Sequence, residues 1–220
     1  MTYSLVVRDD DGTFGVITAS KSLAVGASVP AAAADAGALV TQAHTNTAFA
    51  DGGIAHLRAG HSAAETVERL ISSDPGRSLR QLAVLDGKGD AAAWTGPDCT
   101  ETAGHLLGTG YAAAGNCLDG THVLTALRDT FLASAGTLPQ RLIAALADGE
   151  KAGGDHRGRQ SAALRIAGPA DNGTPHNASR IDLRVDDHDD PVGELRRLLA
   201  LHDALTATPT PAPTPPHHSG

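Results

Sequence analysis

Aromatic residues make up only 3% of this 220-residue chain, and Cys99 and Cys117 are its only cysteines. A core so poor in rings has to be packed with Ala, Val, Leu and Ile, which let layers approach closely but bury little area per side chain. The two cysteines form no CxxC pair and stand near no metal-type histidine cluster, so they read as reduced thiols. Basic residues are in deficit: 17 Lys and Arg against 25 Asp and Glu give a net charge of −8. No basic stripe offsets that charge, which excludes nucleic acid as the expected partner. No apolar run approaches the roughly 18 residues that span a bilayer, so no membrane partner is expected. No basic segment followed by an apolar one opens the chain, and the protein is expected to be cytoplasmic.

Several signatures of chemistry are missing too. There is no phosphate loop, no GxSxG elbow and no dinucleotide fingerprint. His56 and His61 are five apart, the wrong spacing for a helical ligand pair. The acidic stretch "RVDDHDDP" lacks calcium-loop spacing and reads as the cap of the last helix. No cofactor and no metal are therefore expected.

What is present is a chain of alternating β and helical signals. "YSLVVR" and "FGVITA" are β-rich runs joined by "DDDGT", which predicts a hairpin. "ALVTQA" (38–43) is a third run, and "LRQLAVLD" and "DAAAWTG" flank "GKG" as a second hairpin. "YAAAG", "SAALRIA" and "RIDLRVD" complete the strands. A helix is predicted from Ser62, with Glu65 at capping-box spacing. Two more follow, "THVLTALRDTFLAS" with Thr121 as N-cap and "LPQRLIAALADGEKAGG" with a Gly-rich exit. The last, "DPVGELRRLLALHDAL", has Asp190 as cap and Pro191 in its first turn. Consecutive hairpins with helices grouped between them predict an α+β fold of two mainly antiparallel sheets face to face, with helices outside. A single domain is expected over residues 1–205. Residues 206–220, "TATPTPAPTPPHHSG", hold five of the 12 prolines and read as a disordered tail.

Thr2 is the residue on which the chemistry turns. A threonine hydroxyl is a weak nucleophile and needs a base beside it. Removal of Met1 would supply one, the α-amine, whose ordinary pKa of about 7.7–8.0 suits general-base work near neutrality. The plain alternative is a threonine at a strand start. The first hairpin returns through "GVITASKS", which brings Ser20 and Lys21 back toward Thr2. A cation there would favour the neutral, basic amine.

Further polar positions cluster along the chain. "GYAAAGNCL" carries Gly115 and Asn116, and an Asn side chain with a neighbouring N–H can hold an oxyanion; otherwise it holds a turn. "GGDHRGRQSAAL" gathers Asp155, Arg157, Arg159, Gln160 and Ser161 ahead of an apolar strand. Arginine forks bind carboxylates, and a solvated loop with internal ion pairs is the alternative. "VTQAHTN" ends the third strand with Gln42, His44 and Asn46, of which Gln42 and Asn46 are candidates to recognise an amide.

The opening "MTYSLVVRDDDGTFGVITASKSLAVGASVP" resembles the N-terminus of the DUF1028 family, a branch of the N-terminal-nucleophile hydrolase superfamily. "VTQAHTN", "DPGRSLRQLAVLD", "AAAWTG", "GHLLGTGYAAAGNCL", "GGDHRGRQSAALRI" and "DLRVDDHDDPVGELRRLL" resemble it in order. The chain departs from the family's usual pattern at Thr47, where a proline is expected, and at Cys117, where a methionine is expected. The resemblance implies a four-layer αββα fold with Thr2 as nucleophile, Lys21 tuning its amine and Asn116 holding the oxyanion. It also implies Ser20, Gln42, Asn46, Asp155, Arg157, Arg159, Gln160 and Ser161 around a small-molecule substrate. The activity expected is cleavage of an amide or related C–N bond of a small acyl or amino-acid-type substrate. A non-catalytic binding or assembly protein on the same fold is the alternative, as is a proteasome-like peptidase. For the last, Ser20 and Ala38 stand near where the proteasome pattern has Asp and Lys. Folds of this kind often form homo-oligomers, and the sequence names no interface.

Overall fold

The structure, a computed structural model, describes residues 2–100, 102–168 and 181–206. Ten strands fall into two sheets. One is six-stranded, in the order β10-β9-β2-β1-β8-β7, and the other is four-stranded, in the order β3-β4-β5-β6. In the first sheet β1 (Thr2–Arg8) is central, between β2 (Phe14–Ser20) and β8 (Tyr111–Asn116). It is extended by β9 (Ser161–Ala167), β10 (Ile181–Val185) and β7 (Gly104–Gly108). The second is built from β3 (Pro30–Ala33), β4 (Gly37–Ala43), β5 (Arg80–Asp86) and β6 (Ala91–Thr95), and every pairing in both sheets is antiparallel.

Strand alternation sorts the core into three slabs. Between the sheets lie Val6, Val16, Val40, Ala83, Leu85, Ala112 and Ala114. The outer face of the first sheet, with Tyr3, Leu5, Ile17 and Leu164, packs against α3 (His122–Ala133), α4 (Leu138–Lys151) and α5 (Pro191–Thr206). The outer face of the second, with Leu39, Leu82 and Val84, packs against α1 (Ala48–Arg58) and α2 (Ala63–Ser72). The result is a four-layer αββα sandwich, as expected from the order of hairpins and helices. The buried inter-sheet side chains are mostly small, four of them alanines, with Phe14 the one ring in that cluster.

Local chemistry explains most element ends. The first turn closes with Gly12 at φ 85° and Asp11 accepting from the Thr13 N–H at 2.8 Å. The Ser62/Glu65 capping box forms as predicted, with Ser62 N–H donating to Glu65 at 2.8 Å. Asp190 caps α5, accepting from the Gly193 N–H at 3.0 Å. Thr121 precedes α3 as expected but makes no side-chain cap bond, because its own backbone is already helical. α5 extends through Thr206, one residue into the segment read as tail; the remainder of that segment, 207–220, lies outside the described residues. No helix among the described residues is long and apolar enough to cross a membrane.

Three elements carry no signal that sequence reasoning uses. β3 is "PAAA", and β7 is a short glycine-bounded run. α1 has Gly52 and Gly53 at its centre, each costing about 1 kcal/mol of helix propensity. Gly53 is there for packing: a Cβ on it would collide with the Leu39 side chain of β4.

Candidate functional site

Register places a row of polar side chains on the inner face of the first sheet. Ser161 pairs with Ser20, Ser20 with Thr2, and Thr2 with Asn116. All four are at most 3% exposed. Across the gap the second sheet carries the matching row, Gln42 paired with Gln81 and Gln81 with Thr95. Deeper in, Ser4 and Thr18 add a second polar step before the slab turns apolar. The strand starts and ends of one edge of the sandwich thus meet in a polar seam centred on Thr2.

The seam is hydrogen-bonded throughout. Thr2 Oγ1 donates to Ser20 Oγ at 3.3 Å. Ser4 Oγ donates to Gln42 Oε1 at 2.7 Å, and Ser4 and Thr18 hydroxyls lie 2.8 Å apart. Gln42 Nε2 donates to Gln81 Oε1 at 2.8 Å, as does Asn116 Nδ2 at the same distance. Gln81 Nε2 in turn reaches the carbonyls of Gly115 and Gly104 at 2.8 and 3.0 Å. Such a network fixes the orientation of every amide in it. One atom is left over: Asn116 Oδ1 is buried with no hydrogen-bond partner.

Backbone pairing adds a feature at Thr2 itself. Arg8 N–H donates to Gly110 O at 2.8 Å, and the antiparallel alternation then makes Thr2 and Asn116 a hydrogen-bonded pair and Thr2 and Ser20 a non-hydrogen-bonded one. The Thr2 backbone nitrogen is therefore held against β8, while its hydroxyl leans toward Ser20.

Sequence reasoning groups the polar loop 155–161 with this seam; the structure sets the loop at the strand ends beside Ser20, where Asp155, Arg159, Ser20 and Ser161 line one small cleft, and bonds most of its side chains to partners outside the seam. Asp155 is buried and accepts from Lys21 N–H at 3.0 Å, from Arg157 N–H at 3.0 Å and from the Arg157 guanidinium at 2.8 and 3.1 Å. Arg159 Nε lies 3.4 Å from Glu150 of α4. Lys21 is exposed and its Nζ donates to Arg159 O at 3.0 Å. Gln160 Nε2 donates to Asp187 at 3.0 Å. Ser161 joins the Thr2 row, but its hydroxyl donates to Ser22 O and accepts from Val25 N–H at 3.1 Å. Asn46 lies just before the N-cap residue of α1, its Oδ1 accepting from Ala48 N–H at 3.2 Å and its Nδ2 donating to Asp74 at 3.3 Å. The structure thus brings Thr2, Ser20, Gln42, Asn116 and Ser161 together and leaves Arg157, Arg159, Gln160 and Asn46 bonded elsewhere.

Two clefts flank the seam. A small one of about 80 Å³ lies toward the helices, among Tyr3, Ser20, Glu150, Asp155 and Arg159. Burial pushes the Glu150 carboxyl above the usual carboxylate range; Arg159 opposes the shift and Asp190 adds to it. Burial also drives the Tyr3 phenol strongly upward, with the Glu150 charge reinforcing it. A larger cleft of about 400 Å³ opens beside Asn116, bordered by Ala43, His44, Leu79, Asp98 and Cys99. Burial raises the Cys99 thiol above its ordinary value, and both cysteines are free thiols, as expected. Among the described residues no group of three or more His, Cys, Asp or Glu could hold a metal ion.

Sequence reasoning misses Gln81, which ties the seam together, and Glu150 and Tyr3, which line the small cleft. A signal for Gln81 exists: it stands two residues before Ala83 in a strand whose inward positions are otherwise apolar. A polar amide at such a position has to be bonded across the core.

A model of the family of unknown function DUF1028 matches residues 2–195. The crystal structure of a DUF1028-family protein from Silicibacter pomeroyi is similar at 34% identity and a TM-score of 0.84, covering 92% of this chain and 86% of that one. Anbu, the ancestral beta-subunit from Yersinia bercovieri, aligns over 94% of this chain and 98% of its own at 14% identity; its TM-score of 0.40 is too low to carry an argument. No curated protein matches. On the family model and the 34% identity over most of its length, this chain belongs to the DUF1028 family.

Proposed function

We propose that the protein is an N-terminal-nucleophile amidohydrolase that cleaves an amide or related C–N bond of a small acyl or amino-acid-type substrate. The observation that carries this reading is the placement of Thr2: first residue of the central strand, its hydroxyl in a polar seam and its nitrogen paired to β8. Removal of Met1 turns that nitrogen into an α-amine. The neutral amine takes the hydroxyl proton, the Thr2 oxygen bonds to the substrate carbonyl carbon, and the C–N bond breaks as the proton passes to the leaving amine. Water then cleaves the ester and restores Thr2.

Asn116 Nδ2 spends one hydrogen on Gln81 and keeps the other for the oxyanion. The Cys117 N–H is not its companion, because it donates to Thr100 Oγ1 at 2.8 Å. Lys21, one residue beyond Ser20, supplies positive potential that favours the neutral amine. The substrate is a small molecule, no cofactor takes part, and the reaction suits a cytoplasmic protein.

The test is intact mass combined with turnover of a panel of small amides. The reading expects a protein lacking Met1, inactive as Thr2→Ala and partly active as Thr2→Ser. Full turnover by Thr2→Ala, or by protein that retains Met1, would overturn it. The alternative, a binding or assembly protein on the same fold, is favoured by one observation: Thr2 is only 3% exposed. It predicts retained Met1 and no reaction of Thr2 with an electrophile directed at hydroxyl and amine.

A further inference from the structure

The free oxygen of Asn116 carries information about the substrate. That it is the oxygen follows from backbone groups, which cannot be flipped as side-chain amides can. Gly104 O and Gly115 O only accept, so the Gln81 end that meets them is Nε2. Gln81 Oε1 then faces Gln42 and Asn116, and only an NH2 group from each can meet it. Asn116 Oδ1 is left as a buried acceptor with nothing to accept. Such a group carries a desolvation cost while it stays unpaired, and a ligand donor would recover it.

Asn116 borders the larger cleft, whose volume of about 400 Å³ suits a small molecule. Ala43, Leu79 and Cys99 give that cleft an apolar wall. Asp98, exposed at its rim, is the one carboxylate lining it, and no Lys or Arg does so among the described residues. Ala43 and Cys117, on the strand ends either side, both hold positive φ, at 66° and 51°. Left-handed backbone at such residues is strained and is kept where surrounding structure enforces it, commonly at ligand sites. The two arginines that would hold a carboxylate lie elsewhere, with Arg157 on Asp155 and Arg159 beside Glu150.

We propose that this cleft receives the acyl portion of the substrate, and that this portion is an aliphatic aminoacyl group with a free amine and no carboxylate. The amine donates to Asn116 Oδ1 and is drawn by Asp98, while the aliphatic chain lies on Ala43, Leu79 and Cys99. The proposal rests on the amidohydrolase reading for the reaction but not for the binding.

The experiment uses the full chain as Thr2→Ala with Met1 absent, so that no probe is consumed. Binding of L-leucinamide is measured by calorimetry against 4-methylpentanamide, which lacks the amine, and against the α-amide of L-glutamic acid, which adds a carboxylate. L-Leucinamide should bind about tenfold or more tighter than either. Cys99→Phe, which fills the cleft, should abolish its binding, and Asp98→Asn should weaken it several-fold. If Cys99→Phe fails to fold, Leu79→Trp at the exposed side of the cleft makes the same test. Equal binding of 4-methylpentanamide, tighter binding of the carboxylate probe, unchanged binding by the filled variant, or no binding of L-leucinamide would each overturn the proposal. The two readings fail separately. An active Thr2→Ala enzyme removes the amidohydrolase and leaves the aminoacyl cleft standing; an inactive Thr2→Ala that ignores L-leucinamide does the reverse.

Discussion

Thr2 and Asn116 face one another across β1 and β8 as a hydrogen-bonded pair, with both side chains on the inner face of the sheet. A strand usually frays at its first residue, where nothing holds the chain beyond it. Here the ladder runs to the second residue of the chain, so an α-amine created at Thr2 would stay in register with the groups around it. Positioning of that kind is most of what a weak nucleophile requires.

Replacing Asn116 by Ala should therefore affect the chemistry and, if the aminoacyl cleft is right, binding as well. On the proposed mechanism it removes the second Nδ2 hydrogen offered to the oxyanion, and with it the Oδ1 acceptor. Loss of one such donor typically lowers kcat by about 10²- to 10³-fold. Steady-state kinetics on the processed enzyme should show that loss in kcat, with a rise in KM for an aminoacyl substrate, and intact mass should show Met1 still removed. A variant that alters only KM would assign Asn116 to substrate binding alone.

Gln81 is a different case, because it touches five partners, Thr95 Oγ1 among them, and no substrate. Gln81→Leu leaves Gly104 O, Gly115 O, Gln42 Nε2 and Asn116 Nδ2 without their shared partner. Each buried group left unpaired costs about 1–3 kcal/mol. Relaxation and entering water will recover part, so a net destabilisation of about 3 kcal/mol or more is expected in denaturant melts. A loss below about 1 kcal/mol would mean that the seam is hydrated rather than closed.

How much of this was readable beforehand differs by element. The first hairpin was legible because β-branched runs flank an Asp/Gly turn. The α2 cap was legible because Ser62 and Glu65 stand at the right spacing. "PAAA" was not, since alanine has little strand preference and β3 exists through its pairing with β4. α1 was hidden by Gly52 and Gly53, whose purpose is visible only against Leu39. At the site, Thr2, Ser20 and Asn116 could be associated because a hairpin return and a strand end put them together. Asp155 and Arg157 were harder to place. Their sequence neighbour Ser161 joins the seam, but in the loop before β9 Asp155 and Arg157 bond each other and the Lys21 N–H, beside the seam and not within its network. A list of polar residues in order does not say which partner each one takes.

Acid stability should depend on Asp74. Its carboxyl accepts from Arg80 Nε at 2.8 Å, from Gly76 N–H at 2.8 Å and from Asn46. The bond to Arg80 is the leading cause that holds it below the usual carboxylate range, against an opposing effect of burial. A depressed carboxyl stabilises the fold above its unfolded pKa, and that stability is lost as pH falls through the folded value. Arg80 also donates to His44 O at 2.6 Å, so the clamp supports the border of the larger cleft. Asp74→Asn should be less stable than the parent at neutral pH, with the two thermal midpoints converging as pH drops below about 4. Parallel curves over the whole range would show that Asp74 contributes no proton linkage.

Glu150 should have the opposite sign. Burial raises its carboxyl, so the folded state holds the proton more tightly than the unfolded chain. Stability then falls as pH rises from the ordinary carboxylate range through the folded value, because the charge must be carried on a side chain that is only 12% exposed. The nearby Arg159 offsets little of this: its side chain is 51% exposed and its Nε is 3.4 Å from the carboxylate, so water screens the pair. Glu150→Gln keeps the shape, stays neutral and also removes the negative charge that helps raise the Tyr3 phenol. Its thermal midpoint should exceed that of the parent at pH 7–8, and the gain should vanish near pH 4. A Gln variant less stable than the parent at pH 7 would mean that Arg159 stabilises the carboxylate by more than burial costs. The small cleft beneath Tyr3 would then be held together by that ion pair.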